Sequence, residues 1–145
     1  MTAEELPRHS VSVAAAVIDA QGRVLAIRRA DNDQWEPPGG VLELNETFEA
    51  GVAREVLEET GLVVEAVALT GVYKNMVRGI VALVFRCRIV AGSPQPSDEV
   101  LECRWLSADE LSEHMSEAYA VRMLDALSAD TPHIRAHDGT VLLQG

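Results

Sequence analysis

Three glutamates near the middle of the chain, Glu55, Glu58 and Glu59, are the residues whose type and spacing are best suited to chemistry. At about 100° per residue they fall within an arc of about 100° on a helix, so they share one face. Carboxylates this close repel each other, and Arg54 is the only basic residue of the segment. Hard anionic oxygens without a neighbouring His or Cys favour Mg²⁺, Mn²⁺ or Ca²⁺. We expect a Mg²⁺ site with Mn²⁺ as a substitute; a solvated acidic helix face is the alternative.

The segment that precedes these glutamates has the composition of a shaped loop. It runs from Trp35 to Gly40 and contains two prolines, which exclude helix, and two glycines, which permit close approach of a ligand. Such a loop can place bare backbone carbonyls and amides beside the helix. A site for a metal ion and a diphosphate requires groups of this kind.

A helix is expected over Thr47 to Thr60, with Asn45 or Thr47 as its cap and Gly61 as its stop. On a helical wheel four apolar residues lie opposite the three carboxylates. We expect that face to pack on a sheet, with the carboxylates turned outward; it consists of Ala50, Ala53, Val56 and Leu57.

The remaining elements alternate between strands and helices. Two strands, Val11 to Ile18 and Arg23 to Arg29, are expected to form a hairpin. Further expected elements are strands over Leu62 to Tyr73, over Gly79 to Val90 (buried on both faces) and over Cys103 to Leu106, a helix starting at the Ser107 to Glu110 capping box, a helix over Ala118 to Leu127 and a hairpin over Ile134 to Leu143. The pattern predicts an α/β (α+β) fold in which helices flank a mixed sheet.

Composition limits the class of protein. The chain has 145 residues, 48% of them hydrophobic and 24% charged, which suits a single domain over 1–145. A formal net charge of -11 has the wrong sign for binding duplex nucleic acid. The longest apolar runs are too short to cross a membrane. Acidic residues at the start, and two cysteines without a disulfide pattern, lead us to expect a cytoplasmic protein.

The carboxylate segment resembles the Nudix box at every defined position. Reading from Gly40, the sequence has five residues, Glu46, seven residues, Arg54, Glu55, apolar Val56, Leu57, Glu58, Glu59, Thr60, Gly61 and apolar Leu62. The lead-in from Trp35 to Gly40 is also typical of that family. The resemblance implies the Nudix fold and hydrolysis of a nucleoside diphosphate linked to another moiety.

The resemblance also implies roles for individual residues. Glu55, Glu58 and Glu59 match the metal ligands of the family, and Gly39 matches a backbone carbonyl that often joins them. Arg54 matches the residue that holds a carboxylate in place, and Glu46 a structural acid; Glu99 stands where related enzymes place a further acidic ligand or base. Glu58 is the first candidate for the general base and Glu55 the second.

The substrate class is inferred from absent subclass signatures. Val77 and Arg78 stand where ADP-ribose hydrolases of the family tend to carry a proline, and the tyrosine of diadenosine polyphosphate hydrolases is missing near Ile80. The chain therefore resembles the MutT-like group, which acts on nucleoside triphosphates. Hydrolysis of a nucleotide sugar or another nucleoside diphosphate derivative, a nucleotide-sensing module and an isomerase are the alternatives. A homodimer formed through the tail 132–145 is a further expectation.

Two pairs of residues carry weaker signals. Arg28 and Arg29 end a predicted strand near the expected cleft, where an arginine either binds a phosphate or offsets the acidic residues. Trp35 and Tyr73 are candidates for stacking on a base, with core packing as the alternative.

Overall fold

The computed structural model of the protein describes residues 2–130 and 132–144. A short 3-10 turn, Ala3–Glu5, precedes the regular elements. In chain order these are β1 Ser10–Val17, β2 Val24–Arg29, β3 Trp35–Glu36, β4 Gly39–Val41, α1 Phe48–Thr60, β5 Val63–Asn75, β6 Ile80–Ala91, β7 Val100–Leu106, α2 Ala108–His114, α3 Glu117–Leu127, β8 His133–His137 and β9 Leu142–Leu143.

The strands form two sheets. The larger has the order β4-β1-β6-β5-β8-β9 and the smaller the order β3-β2-β7. Strand β1 pairs in parallel with β6 and antiparallel with β4, so the larger sheet is mixed. This architecture confirms the predicted α+β class, because three helices accompany a sheet with both parallel and antiparallel strands.

Strand β1 contributes to two apolar cores because successive side chains point to opposite faces of a sheet. Val13, Ala15 and Val17 pack in a core that includes Val52 and Val56 of α1. Ala14 and Ala16 belong to the other core, whose remaining members come mainly from α2, α3 and the neighbouring strands. Helix α1 therefore lies on one side of the sheets, and α2 and α3 lie on the other.

Two details of the sequence-based prediction are wrong. Strands β1 and β2 exist, but they belong to different sheets and are joined by a single bridge between Ile18 and Val24 rather than by a hairpin ladder. Strand β6 is buried only in its first part, since its residues from Arg88 to Ala91 are exposed. The β-rich composition identified both strands, whereas pairing and burial depend on distant partners.

The C-terminal hairpin is confirmed, with β8 and β9 antiparallel around Asp138 and Gly139. Strand β8 also pairs in parallel with β5 of the same chain. A homodimer stays a prediction. No helix within 2–130 or 132–144 combines the length and the apolar character needed to span a membrane.

Candidate active site

Helix α1 carries most of the expected site residues, and local sequence determines both of its ends. The Thr47 hydroxyl accepts a hydrogen bond from the Ala50 N–H at 3.2 Å. At the other end Gly61 adopts a φ of 76°, and its N–H donates to the Leu57 carbonyl at 2.9 Å. Glycine tolerates this left-handed conformation without steric cost. The predicted cap and stop are therefore both confirmed.

The buried face of α1 differs from the prediction. Ala50 and Leu57 are exposed, whereas Glu59 is only 3% exposed. The face that packs on the sheets consists of Gly51, Val52, Val56, Glu59 and Thr60. The helix is thus rotated so that one carboxylate of the cluster points inward, and the expectation that all three carboxylates face outward is wrong for Glu59.

A backbone hydrogen bond explains the inward position of Glu59. Its Oε1 accepts from the Gly39 N–H at 2.8 Å. Between β1 and β4, Leu42 donates to the Val11 carbonyl and Ala15 donates to the Pro38 carbonyl. Because bonded pairs alternate along an antiparallel ladder, the N–H and the carbonyl of Gly39 point away from β1 and towards α1.

Burial raises the pKa of Glu59 to about 8, and the nearby carboxylates of Glu55 and Glu36 add to the effect. The hydrogen bond from the Gly39 N–H acts in the opposite direction and does not offset the loss of water. In the metal-free protein this carboxyl group is therefore largely protonated at neutral pH.

Without divalent cations, we expect the free energy of unfolding to fall as pH rises from about 4.5 to 8. The folded state then holds a proton on Glu59 that the unfolded chain has lost. The stabilisation that this proton gives the folded state is complete below pH 4.5 and is lost as pH approaches 8. The free energy of unfolding then falls with a limiting slope of about 1.4 kcal/mol per pH unit. Urea unfolding in chelator at several pH values measures this slope. Glu59→Gln should flatten it, and an unchanged slope in that variant contradicts the assignment.

Arg54 links three of the acidic side chains. Its Nε and Nη2 donate to the two oxygens of Glu46 at 2.9 and 2.6 Å, and its Nη1 donates to Glu55 at 3.1 Å and to Glu58 at 3.2 Å. The Arg54 guanidinium lowers the pKa of Glu46 to about 2. The one basic residue of the segment therefore orients Glu55 and Glu58 while Glu46 anchors it.

Glu55 lies directly against the loop strand β4. A Cβ atom added to Gly40 would lie 2.5 Å from Oε1 of Glu55, so any side chain at this position would force the carboxylate to shift. Burial raises the pKa of Glu55, and the charges of Glu58 and Glu99 contribute. Glu99 is thus brought near the cluster from the loop before β7, although it lies 44 positions later in the chain.

These groups have the chemistry of a site for a hard divalent cation. Three carboxylates and the carbonyl of Gly39 present only oxygen donors. Within 2–130 and 132–144, however, no three acidic, His or Cys side chains converge on one point. Glu55 and Glu58 bond to Arg54, and Glu59 bonds to Gly39. A cation would have to draw Glu55 and Glu58 from Arg54, and the 56% exposed side chain of Glu58 has open solvent in which to turn.

A cavity of about 380 Å³ lies beside this cluster, between β4, β1, β6 and α3. Gly39 and Gly40 form part of its wall. Sequence reasoning missed three of its polar residues, Asn75, Tyr119 and Arg122, because they belong to no motif and only the fold brings them together. Arg122 is the one basic residue of α3, and this was the available signal.

The weaker sequence signals have separate outcomes. Arg29 lines the cavity and is paired with Asp31 and Glu36, whereas Arg28 pairs with Asp33 and Glu102 outside it. Trp35 packs edge-on against His114 at 5.8 Å between ring centroids. Tyr73 is fully buried, and its hydroxyl donates to Asp125 at 2.7 Å. Both aromatic residues therefore have packing roles.

Known proteins resemble this chain in both sequence and fold. The NUDIX domain family matches residues 8–127. A MutT-like protein from Streptomyces ambofaciens is 61% identical over 137 residues, which cover 94% of this chain and 89% of that protein. An ADP-ribose pyrophosphatase from Methanocaldococcus jannaschii is 29% identical over 110 residues, covering 71% and 65%.

The fold recurs in the crystal structure of an ADP-ribose pyrophosphatase from Streptococcus suis. The TM-score is 0.76 at 22% identity, over 90% of this chain and 100% of that one. At this identity the likeness concerns the fold alone. The family match over most of the sequence, the carboxylate helix and the shared fold together place this chain in the Nudix hydrolase family.

Proposed function

We propose that the protein hydrolyses the diphosphate linkage of nucleoside triphosphates, ribo or deoxy, with Mg²⁺ as its metal and Mn²⁺ as a substitute. Nudix hydrolases act on small nucleotide substrates and generally require a divalent metal ion. The position of the cavity carries the proposal. Gly39 and Gly40 line it and lie against Glu59 and Glu55. A nucleotide whose base fills the cavity can therefore reach the carboxylates with its phosphates.

The metal ligands in this proposal are Glu55, Glu58, Glu59 and the carbonyl of Gly39, with Glu99 as a further acidic ligand. Their oxygen donors suit Mg²⁺, and their mutual repulsion favours cation binding. When bound, the cation neutralises charge on the phosphoryl oxygens and lowers the pKa of a bound water.

Glu58 is the proposed general base, which accepts the proton of the attacking water. Its side chain is 56% exposed, so it has access to solvent, and its one hydrogen-bond partner among the described residues is Arg54 at 3.2 Å. Arg54 also bonds to Glu55, the second candidate for the base. In this arrangement Arg54 positions both carboxylates, and Glu46 holds Arg54.

We expect Glu99→Gln to lower turnover by at least about tenfold. The residue is exposed, so the substitution removes a charge near Glu55 without disturbing the core. The measurement is the steady-state rate over a Mg²⁺ titration. Asp98→Asn, one position earlier in the same loop, is the matched control. A wild-type rate for Glu99→Gln would show that Glu99 is a solvated loop residue.

The activity is tested by phosphate and pyrophosphate release from nucleoside triphosphates, oxidised nucleotides, nucleotide sugars, ADP-ribose and dinucleoside polyphosphates. Parallel reactions contain Mg²⁺, Mn²⁺ or chelator. We expect metal-dependent pyrophosphate release from triphosphates. Nucleotide binding without turnover of any substrate would instead support a sensing module.

A second candidate substrate class is ADP-ribose or another nucleotide sugar. Its support is the Methanocaldococcus jannaschii relative named as an ADP-ribose pyrophosphatase. The 61% identical relative, named as MutT-like, favours triphosphates. Preferential turnover of ADP-ribose in the same panel would reverse this order.

We further propose one domain over 1–145, because β8 and β9 extend the larger sheet beyond the family match at 8–127. A cytoplasmic location is proposed from the two free cysteines, Cys87 and Cys103, which form no disulfide. A homodimer is tested by analytical ultracentrifugation of the full chain.

A further inference from the structure

Arg122 of α3 is a buried cation at the cavity beside the carboxylate cluster. It is only 8% exposed, and it lines the cavity. Within 2–130 and 132–144 no carboxylate oxygen lies within 4.0 Å of its guanidinium. Arg29, Arg54 and Arg135 differ, because each is paired with an acidic side chain. A buried charge without such a partner is costly, which marks this position as unusual.

The immediate surroundings of Arg122 hold its guanidinium in place but offer few acceptors. The rings of Tyr119 and Tyr73 lie 5.0 and 5.3 Å from its Cζ atom, in cation–π geometry. Its Nε has no hydrogen-bond partner in the described part of the chain. Its Nη2 lies 3.3 Å from Nε2 of His137.

His137 does not fully satisfy Arg122. Burial lowers the pKa of His137, with the Arg122 charge contributing, so the ring is neutral and offers one lone pair. The Gly139 nitrogen lies 3.0 Å from Nδ1, and its N–H donates to the lone pair there. Nε2 of the neutral ring then carries the proton, so it is a donor and cannot accept from Arg122. The guanidinium therefore lacks an acceptor that a ligand can supply.

The cavity favours a planar heterocycle over a phosphate as that ligand. Its other walls include the apolar side chains of Val13, Ala14, Ile80 and Ala118. Glu36 and two further arginines also line it, but Arg29 is paired with Glu36 and Asp31, and Arg78 is an exposed residue. A phosphate beside Arg122 would meet the Glu36 carboxylate and the apolar walls, whereas a nucleobase has flat apolar faces and acceptors on its edge. The volume of about 380 Å³ lies within the range of small-molecule sites.

We infer that Arg122 is a specificity-determining residue that selects nucleobases bearing a keto oxygen over those bearing an amino group at the same position. The inference rests on the proposed function, in which the cavity receives the base. Arginine donates to the O6 and N7 acceptors of guanine, whereas adenine presents a donor at its 6-position. Guanine, hypoxanthine and uracil are the favoured bases, and adenine and cytosine the disfavoured ones.

The sharpest test compares inosine and adenosine monophosphates, which differ at the 6-position, in calorimetric binding to the full chain. We expect the inosine nucleotide to bind at least about tenfold more tightly, the discrimination typical of an arginine that reads a keto base. Arg122→Met should abolish the difference, mainly through weaker binding of the inosine nucleotide. Arg88→Met, the same substitution at an exposed site on β6, should preserve it.

Three outcomes would overturn the inference. The first is equal affinity of the wild-type chain for the two nucleotides, which needs no variant to fold. The second is no measurable binding of inosine monophosphate. The third is a loss of affinity for ribose 5-phosphate in Arg122→Met that equals its loss of affinity for inosine monophosphate. That result would show that the arginine binds the phosphate and not the base.

Nucleotide binding tests the role of Arg122, and triphosphate hydrolysis tests the proposed function. A preference for the keto base together with no hydrolysis of any triphosphate would support the role of Arg122 and reject the proposed function. Hydrolysis of triphosphates with equal affinity for both monophosphates would do the reverse.

Discussion

Glu58→Gln is expected to lower triphosphate turnover by about 10²- to 10⁴-fold, the range typical of losing a general base. The amide keeps the size of the side chain but cannot accept the proton of the attacking water. The fold should be unaffected, since the side chain is 56% exposed and its contact is with Arg54. Steady-state kinetics at saturating Mg²⁺, with circular dichroism as the test of folding, measure the effect.

Glu49→Gln is the matched control for this variant. It makes the same chemical change in the first turn of α1, at an exposed residue outside the carboxylate cluster. Its rate should equal that of the wild type. A Glu58→Gln rate within about threefold of wild type would remove Glu58 from the reaction and make Glu55 the candidate base.

The parts of the site that the sequence predicted are those determined by local chemistry. Thr47 and Gly61 limit α1 because capping and left-handed backbone depend on a few neighbouring residues. The Trp35 to Gly40 segment was expected beside the helix, and its Gly39 N–H bonds to Glu59. Short-range rules and the family motif were sufficient for these features.

The parts that sequence did not predict depend on contacts between distant segments. The helical wheel placed Leu57 inside and Glu59 outside, but a backbone N–H 20 positions earlier is the partner that draws Glu59 inward. Arg122 and Asn75 meet in one cavity only because α3 packs on β5 and β6. Hydrophobic periodicity contains no information about such partners.

Gly40→Ala should weaken the apparent affinity for Mg²⁺ by about 10- to 100-fold, the usual cost of disturbing the support of a metal ligand. The φ angle of Gly40 is not positive, so alanine is compatible with the backbone. The new methyl group would meet the Glu55 carboxylate at 2.5 Å and force it to move. A Mg²⁺ titration of the initial rate measures the loss, and thermal unfolding in chelator checks the fold.

A double-mutant cycle tests whether this effect passes through Glu55. If the methyl group acts by displacing that carboxylate, Gly40→Ala has nothing left to displace once Glu55→Ala has removed the side chain. The double variant should then be no worse than Glu55→Ala alone, since perturbations of one contact are not additive. If the two losses multiply instead, Gly40 acts separately from Glu55. The substitution then lowers the affinity by altering the cavity wall that Gly40 forms.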